Sequence, residues 1–264
     1  MQFPKTNFET VGSALAQTTD DVKSLVSAEE WEARVELAAL YQLVAHFGWT
    51  DTIYNHISLR VPGEHAYLIN PWGYRYEEIT ASCLVKVDVE GGVLYDPTGF
   101  GINVAGFVIH GAIHGARPDI TCVIHTHTPA GAGVSAQEEG LLPISQHAAC
   151  IYGRIGYHDA EGVSVNLDER ERLVKSLGQN YVMILRNHGL LTAGRSAAEA
   201  LNFMVLLERA CEIQIAAQSG DAALRMLDEG ALRATAGVIE KADLRRDWAA
   251  MLRLIERVAP QFRT

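Results

Sequence analysis

Two hydrophobic rhythms alternate along this chain, one at helical and one at strand spacing. Ser27-Ala28-Glu29-Glu30 has the Ser-x-x-Glu form that caps a helix, and Trp31, Val35, Leu37, Ala38, Leu40, Tyr41, Val44 and Phe47 then line an apolar face. That helix is expected to end near Gly48. Short runs at Ile57 to Val61, Ala66 to Asn70 and Leu84 to Val89 read as strands, and the Pro, Gly and Asp between them predict antiparallel pairing through tight connections. Phe107 to Ala116 returns to helical spacing and is stopped by Arg117-Pro118-Asp119. Cys122 to Thr128 and Val182 to Leu185 are strand-like. A helix is predicted from Asp168 to about Leu177, with first-turn acids that suit the helix dipole. Ser196-Ala197-Ala198-Glu199 opens a longer helix reaching about Gln218. This order predicts an α/β fold in which helices cover a sheet.

The ends read differently. Residues 1–26 are polar and irregular, the pattern of an N-terminal arm. Residues 221–264 carry Leu224, Met226, Leu227 and Leu232, then Trp248, Met251, Leu252 and Ile255, at helical spacing, the pattern of a C-terminal helical extension. Between them, residues 27–220 are expected to form one domain, because no linker, low-complexity segment or long-period repeat interrupts them.

The strand pattern places candidate chemistry. In Val123-Ile124-His125-Thr126-His127, alternate side chains share a face, so His125 and His127 point the same way and can reach one ion, with Thr126 turned to the opposite side. Two imidazoles buried in an apolar strand are costly unless their ring nitrogens are satisfied, and a metal satisfies them directly. His188 follows the apolar run at Val182 to Leu185 and is the third candidate. A lone histidine at a strand end is more often a hydrogen-bonding group, but three neutral imidazoles and an open position make a catalytic metal site. His110 and His114 lie four apart on one helical face and form a rival pair; Gly111 stands where the HExxH motif needs a glutamate, so packing or support is expected of them.

Composition narrows the partners. A formal charge of −10 argues against binding a phosphate backbone. No basic, apolar leader and no apolar run of spanning length is apparent, which predicts a soluble, cytoplasmic protein with no membrane partner. Cys83, Cys122, Cys150 and Cys211 lack paired spacing and read as small hydrophobes.

Taken in order, Tyr54-Asn55-His56-Ile57-Ser58-Leu59-Arg60-Val61-Pro62, Ala116-Arg117-Pro118-Asp119, Val123-Ile124-His125-Thr126-His127-Thr128, Gly140-Leu141-Leu142-Pro143-Ile144-Ser145 and Arg186-Asn187-His188-Gly189-Leu190 resemble the class II aldolase/adducin family over about residues 28 to 218. The resemblance implies a three-layer α/β/α fold around a largely antiparallel sheet, and a homotetramer with sites at subunit interfaces. It implies metal ligation by His125, His127 and His188, with zinc first and manganese, iron or cobalt as other candidates. Departures from the aldolases matter equally. They carry an acid/base glutamate where this chain has Gly106, and Asn103 to Phe107 is instead similar to the adducin-like bacterial branch. Their phosphate-binding turns correspond to Asn55-His56-Ile57-Ser58 and Asn70-Pro71-Trp72-Gly73, where His56 and Trp72 are bulkier, which favours an unphosphorylated or aromatic carboxylate.

The family resemblance also aligns His147 with an active-site tyrosine that reaches a neighbouring subunit, making it the candidate acid/base. His56, Trp72, Arg154 and Arg186 are the candidate substrate-binding residues, the arginines for a carboxylate. The leading expectation is a metal-dependent carbon-carbon lyase, decarboxylase or aldolase, acting on a small hydroxy- or oxo-carboxylate. A non-haem iron oxygenase in the same site and a non-catalytic adducin-like scaffold are the alternatives.

Overall fold

Eight strands form one sheet in this computed structural model, which describes residues 19–163, 166–239 and 242–264. They are β1 (His56–Arg60), β2 (Ala66–Ile69), β3 (Val85–Asp88), β4 (Val93–Tyr95), β5 (Cys122–Thr126), β6 (Ile155–His158), β7 (Val182–Leu185) and β8 (Gly189–Gly194), in spatial order β4-β3-β2-β1-β5-β8-β7-β6. Every neighbouring pair is antiparallel except β6 with β7. The helices are α1 (Thr19–Leu25), α2 (Ala28–His46), α3 (Val104–Ala116), α4 (Pro129–Ser135), α5 (Gln146–Cys150), α6 (Glu169–Leu177), α7 (Ala197–Gln218), α8 (Glu229–Ile239) and α9 (Arg245–Val258).

Strand alternation divides the interior in two. Ile57, Leu59, Cys122, Ile124, Val182, Ile184 and Leu190 pack with α2 and α7 on one face. Val123, Met183, Leu185 and Leu191 pack with Val108, Ile109 and Ile113 of α3 and with Leu173 and Leu177 of α6 on the other. The layers are therefore α/β/α around a largely antiparallel sheet, as expected.

Both predicted capping boxes supply their cap: Ser27 Oγ accepts the Glu30 N–H at 3.1 Å and Ser196 Oγ accepts the Glu199 N–H at 3.2 Å. Helix α3 begins at Val104, earlier than the apolar spacing suggests, because Asn103 Oδ1 accepts the Ala105 N–H at 3.0 Å and starts the helix before its apolar face begins. Two strands between tight turns, β4 and β6, and the short helices α4 and α5 have too few periodic residues to declare themselves in sequence. Strand β8 was hidden by the glycines at both its ends.

The expected N-terminal arm lies outside the described residues up to residue 18; its remainder is mostly α1. At the other end the chain folds back on itself. Ile255, Ala259 and Phe262 enter the same core as α2, and the Ala81 N–H donates to the Phe262 carbonyl at 2.9 Å. Among the described residues no helix is long and apolar enough to cross a membrane.

Candidate metal centre

Strand β5 sits in the middle of the sheet between β1 and β8, and its C-terminal end carries the histidine pair. His125 lies within the strand, His127 just beyond it, and His188 in the turn between β7 and β8. That turn is built for close approach. Asn187 adopts a positive φ of 55°, and a Cβ on Gly189 would stand 2.3 Å from the Thr126 carbonyl oxygen, so only glycine lets β8 approach the end of β5 there. The His188 N–H is shared between the Leu185 carbonyl at 3.1 Å and Ser135 Oγ at 3.2 Å, which fixes the ring's point of departure.

The three rings converge through one atom each. His127 Nε2 lies 2.8 Å from His125 Nε2 and 2.9 Å from His188 Nε2, and a ligand atom from each ring falls within 4.8 Å of the others. The opposite ring nitrogens decide what these contacts are. His125 Nδ1 faces the Leu190 carbonyl at 2.8 Å, and His127 Nδ1 faces an Asp51 carboxylate oxygen at 3.0 Å. Both partners are acceptors, so both Nδ1 atoms carry the proton, and in the neutral rings both Nε2 atoms are bare. Two lone pairs at hydrogen-bonding distance with no proton between them repel, and a cation removes the repulsion.

Burial favours the neutral form of His125 and His188. It pushes His125 well below the usual imidazole range, with His127, His188 and His56 acting in the same direction, and it takes His188 down to about 4 with His127 and His158 adding to the effect. Thr126 turns to the opposite face, where its hydroxyl donates to Glu208 Oε1 at 2.7 Å, and the Thr128 hydroxyl donates to Oε2 at 2.6 Å. Glu208, on α7, thereby clamps the residues on both sides of His127. Its own carboxyl is raised to about 7 by burial, against the two hydroxyls that lower it.

The family model for the class II aldolase and adducin N-terminal domain matches residues 35–215. The chain belongs to the class II aldolase and adducin family. A Caulobacter vibrioides protein named for the class 2 aldolases is 54% identical over 205 residues, covering 77% of this chain and 79% of that one. Alpha-adducin of Rattus norvegicus is 47% identical over 207 residues, which are 76% of this chain but 28% of that longer protein. Among solved structures, an aldolase II superfamily protein from Pseudomonas syringae superposes with a TM-score of 0.86 at 52% identity, covering 92% of this chain and 99% of that one.

Within this class II aldolase and adducin framework, the other candidate residues spread out. His56 pairs with His125 across β1 and β5, its ring centroid 5.1 Å away. Gly106 packs under it: a Cβ there would meet His56 Cδ2 at 2.9 Å. Trp72 is half-buried with its ring 5.9 Å from that of Tyr54. Arg186 donates to the Gln137 carbonyl at 2.6 Å and lies over the Tyr157 ring at 4.5 Å. Arg154 is half-buried ahead of β6. His147 is on α5, which packs against α7 and α8. Among the described residues no hydrogen bond or ring contact joins His147 or Trp72 to the three histidines.

The rival pair has a different task, since Ser58 Oγ lies between His110 Nδ1 at 2.5 Å and His114 Nε2 at 2.8 Å. Asp51, Ser58, Ser135 and Glu208 escaped the sequence reading. An isolated Asp or Ser carries no spacing signal, and Glu208 sits in an otherwise ordinary helix; only the fold brings them to the histidines.

Proposed function

We propose that the protein is a metal-dependent carbon-carbon lyase, decarboxylase or aldolase, that binds one divalent ion through His125, His127 and His188 and acts on a small hydroxy- or oxo-carboxylate. The observation that carries this reading is the pair of bare Nε2 atoms 2.8 Å apart, each backed by an acceptor at Nδ1. Zinc suits three imidazoles best, with manganese, iron and cobalt also compatible. A bound ion of this kind supplies Lewis acidity that stabilises negative charge on a substrate oxygen as a carbon-carbon bond breaks.

The protein's own groups do the rest. Asp51 and the Leu190 carbonyl hold two rings in the ligating tautomer, and Glu208 holds the segment that bears them. We assign Arg154 and Arg186 to carboxylate binding, and Trp72 and His56 to the walls of the substrate site. His147 serves as the acid/base for a neighbouring subunit's site in a homotetramer. Gly106 brings no carboxylate, and decarboxylation needs no base to remove a C–H proton, so it is the branch that this site favours over aldol chemistry. Cytoplasmic residence and the lack of nucleic-acid and membrane partners belong to the same proposal.

Metal content tests it. Untagged protein purified without chelator is expected to carry about one divalent ion per chain by element-resolved mass spectrometry, lost in His125→Ala. Hydroxy-carboxylates are then screened for released carbon dioxide or aldehyde. Iron redirects the work to oxygen uptake. No metal after reconstitution overturns the lyase and favours a scaffold role, the reading that kinship with alpha-adducin supports.

A further inference from the structure

Behind the three histidines runs a buried polar chain that the reading above does not use. His56 Nδ1 lies 2.8 Å from His110 Nε2, His110 Nδ1 lies 2.5 Å from Ser58 Oγ, and Ser58 Oγ lies 2.8 Å from His114 Nε2. His56 and Ser58 alternate on one face of β1, and His110 and His114 are one turn apart on α3, which packs on that face. Tyr67 stacks on the far ring with centroids 4.9 Å apart. Gly106, one turn before His110, leaves the space into which the His56 ring fits.

The protons of this chain must all point the same way. Ser58 has one hydroxyl proton and two ring nitrogens beside it, so it donates to one and accepts from the other. Each neutral imidazole likewise has one N–H and one bare nitrogen. Away from the metal centre, burial favours the neutral form: His110 is pushed well below the imidazole range, and His114 is taken down to about 3. Two arrangements remain, and they differ in which nitrogen of His56 is left bare.

Both ends of the chain select the same one. At the far end, His114 Nδ1 is buried and makes no hydrogen bond among the described residues, and the backbone group acting on this ring is the Ile120 carbonyl, an acceptor. A buried N–H beside a carbonyl is tolerable, whereas a lone pair facing another lone pair is not. At the near end, His56 pairs with His125 across β1 and β5, with ring centroids 5.1 Å apart, and a cation held by the three histidines favours a lone pair facing it over an N–H. Both conditions are met when His56 Nδ1–H donates to His110, His110 Nδ1–H donates to Ser58, and Ser58 donates to His114.

We infer that this chain fixes His56 as its Nδ1–H tautomer, so that its bare Nε2 accepts a hydrogen bond from a hydroxyl of the substrate held at the three histidines, and that the site therefore selects hydroxy-carboxylates over analogues without a free hydroxyl. The inference rests on the metal-site reading above for the substrate's position. Nε2 makes no hydrogen bond to any described residue, and the residue keeps 2 % exposure, so the acceptor is left for a ligand. Ser58, His110 and His114 are positioning residues that set the proton's place without touching substrate. A buried acceptor discriminates well, because a ligand that cannot donate leaves it unpaired.

The test begins with the ring protons themselves. In metal-free protein labelled with 15N in its histidine rings, long-range 1H–15N spectra are expected to show His56 neutral, protonated at Nδ1 and bare at Nε2. Adding zinc is expected to shift His125, His127 and His188 and to leave His56 unligated. A proton at Nε2, or a fourth ring joining the metal, overturns the inference. Ser58→Ala is expected to give a tautomer mixture at His56 that Ser58→Thr removes, in variants whose thermal unfolding stays cooperative; an unchanged His56 in Ser58→Ala overturns the role of the chain. Glycolate and methoxyacetate are then titrated into zinc-loaded protein. The wild type is expected to prefer glycolate by about tenfold, and His56→Phe to lose that preference. Equal affinities in the wild type, or a preference that survives in His56→Phe, overturn the selectivity. Failure to take up zinc defeats the lyase proposal and the selectivity that rests on it, whereas the tautomer is read separately on the metal-free protein.

Discussion

At the scale of single residues the site is governed by which groups stay neutral. His188 has its ring taken from 6.5 down to about 4, first by burial. A folded value below the unfolded one means that its contribution is complete above 6.5 and is lost as pH falls toward 4. Metal retention measured by equilibrium dialysis is therefore expected to hold until pH falls through about 4, where protons begin to compete for the His188 ring in the folded protein. Glu208 has the opposite sign. Its carboxyl is raised from 4.5 to about 7, so the stability it lends is complete below 4.5 and is lost as pH rises through 7. In metal-free protein, Glu208→Gln is expected to abolish that alkaline loss, a difference from wild type on the order of 3 kcal/mol in denaturant unfolding between the two limits. An identical pH profile for both proteins would show that Glu208 stays ionised in the fold.

The elements explain why these residues meet. Strands β5 and β8 close over Gly189, and a methyl group there would lie 2.3 Å from the Thr126 carbonyl oxygen, which is backbone and has no way to swing aside. Gly189→Ala is accordingly expected to cost several kcal/mol in chemical denaturation and to lower zinc affinity by moving His188 away from His125. Helix α3 depends on its cap, so Asn103→Ala is expected to cost about 1 kcal/mol while leaving the three histidines in place. Periodicity revealed the long elements, α2 and α7, because each buries a continuous apolar set, and their Ser-x-x-Glu starts are local chemistry. It did not reveal α4, Pro-Ala-Gly-Ala-Gly-Val-Ser, whose small residues have no rhythm and whose start is held by Thr128 Oγ1 accepting the Gly131 N–H at 3.0 Å.

For the whole molecule, the α/β/α layering places the histidine turn at the end of the sheet's central strands, with α3 behind β1 and α7 behind β5. Light scattering is expected to give a tetramer. If His147 completes a neighbour's site, mixing His147→Ala with His125→Ala subunits restores activity on the substrate that the carboxylate screen returns. Hybrids that stay inactive would place His147 outside the chemistry.

The convergence of His125 and His127 was legible in the chain because strand alternation is a local rule: two imidazoles two residues apart share a face wherever the strand lies. Family membership was legible for a similar reason, since ordered short motifs survive without knowledge of their contacts. What the tertiary structure alone decided is how each ring is held. Asp51 behind His127, Glu208 beneath Thr126 and Thr128, and Ser58 between His110 and His114 are contacts between groups 76, 82, 80, 52 and 56 residues apart. No spacing rule reaches that far. A proton's position on an imidazole is set by its partner, and the partner is chosen only when the sheet and its helices close.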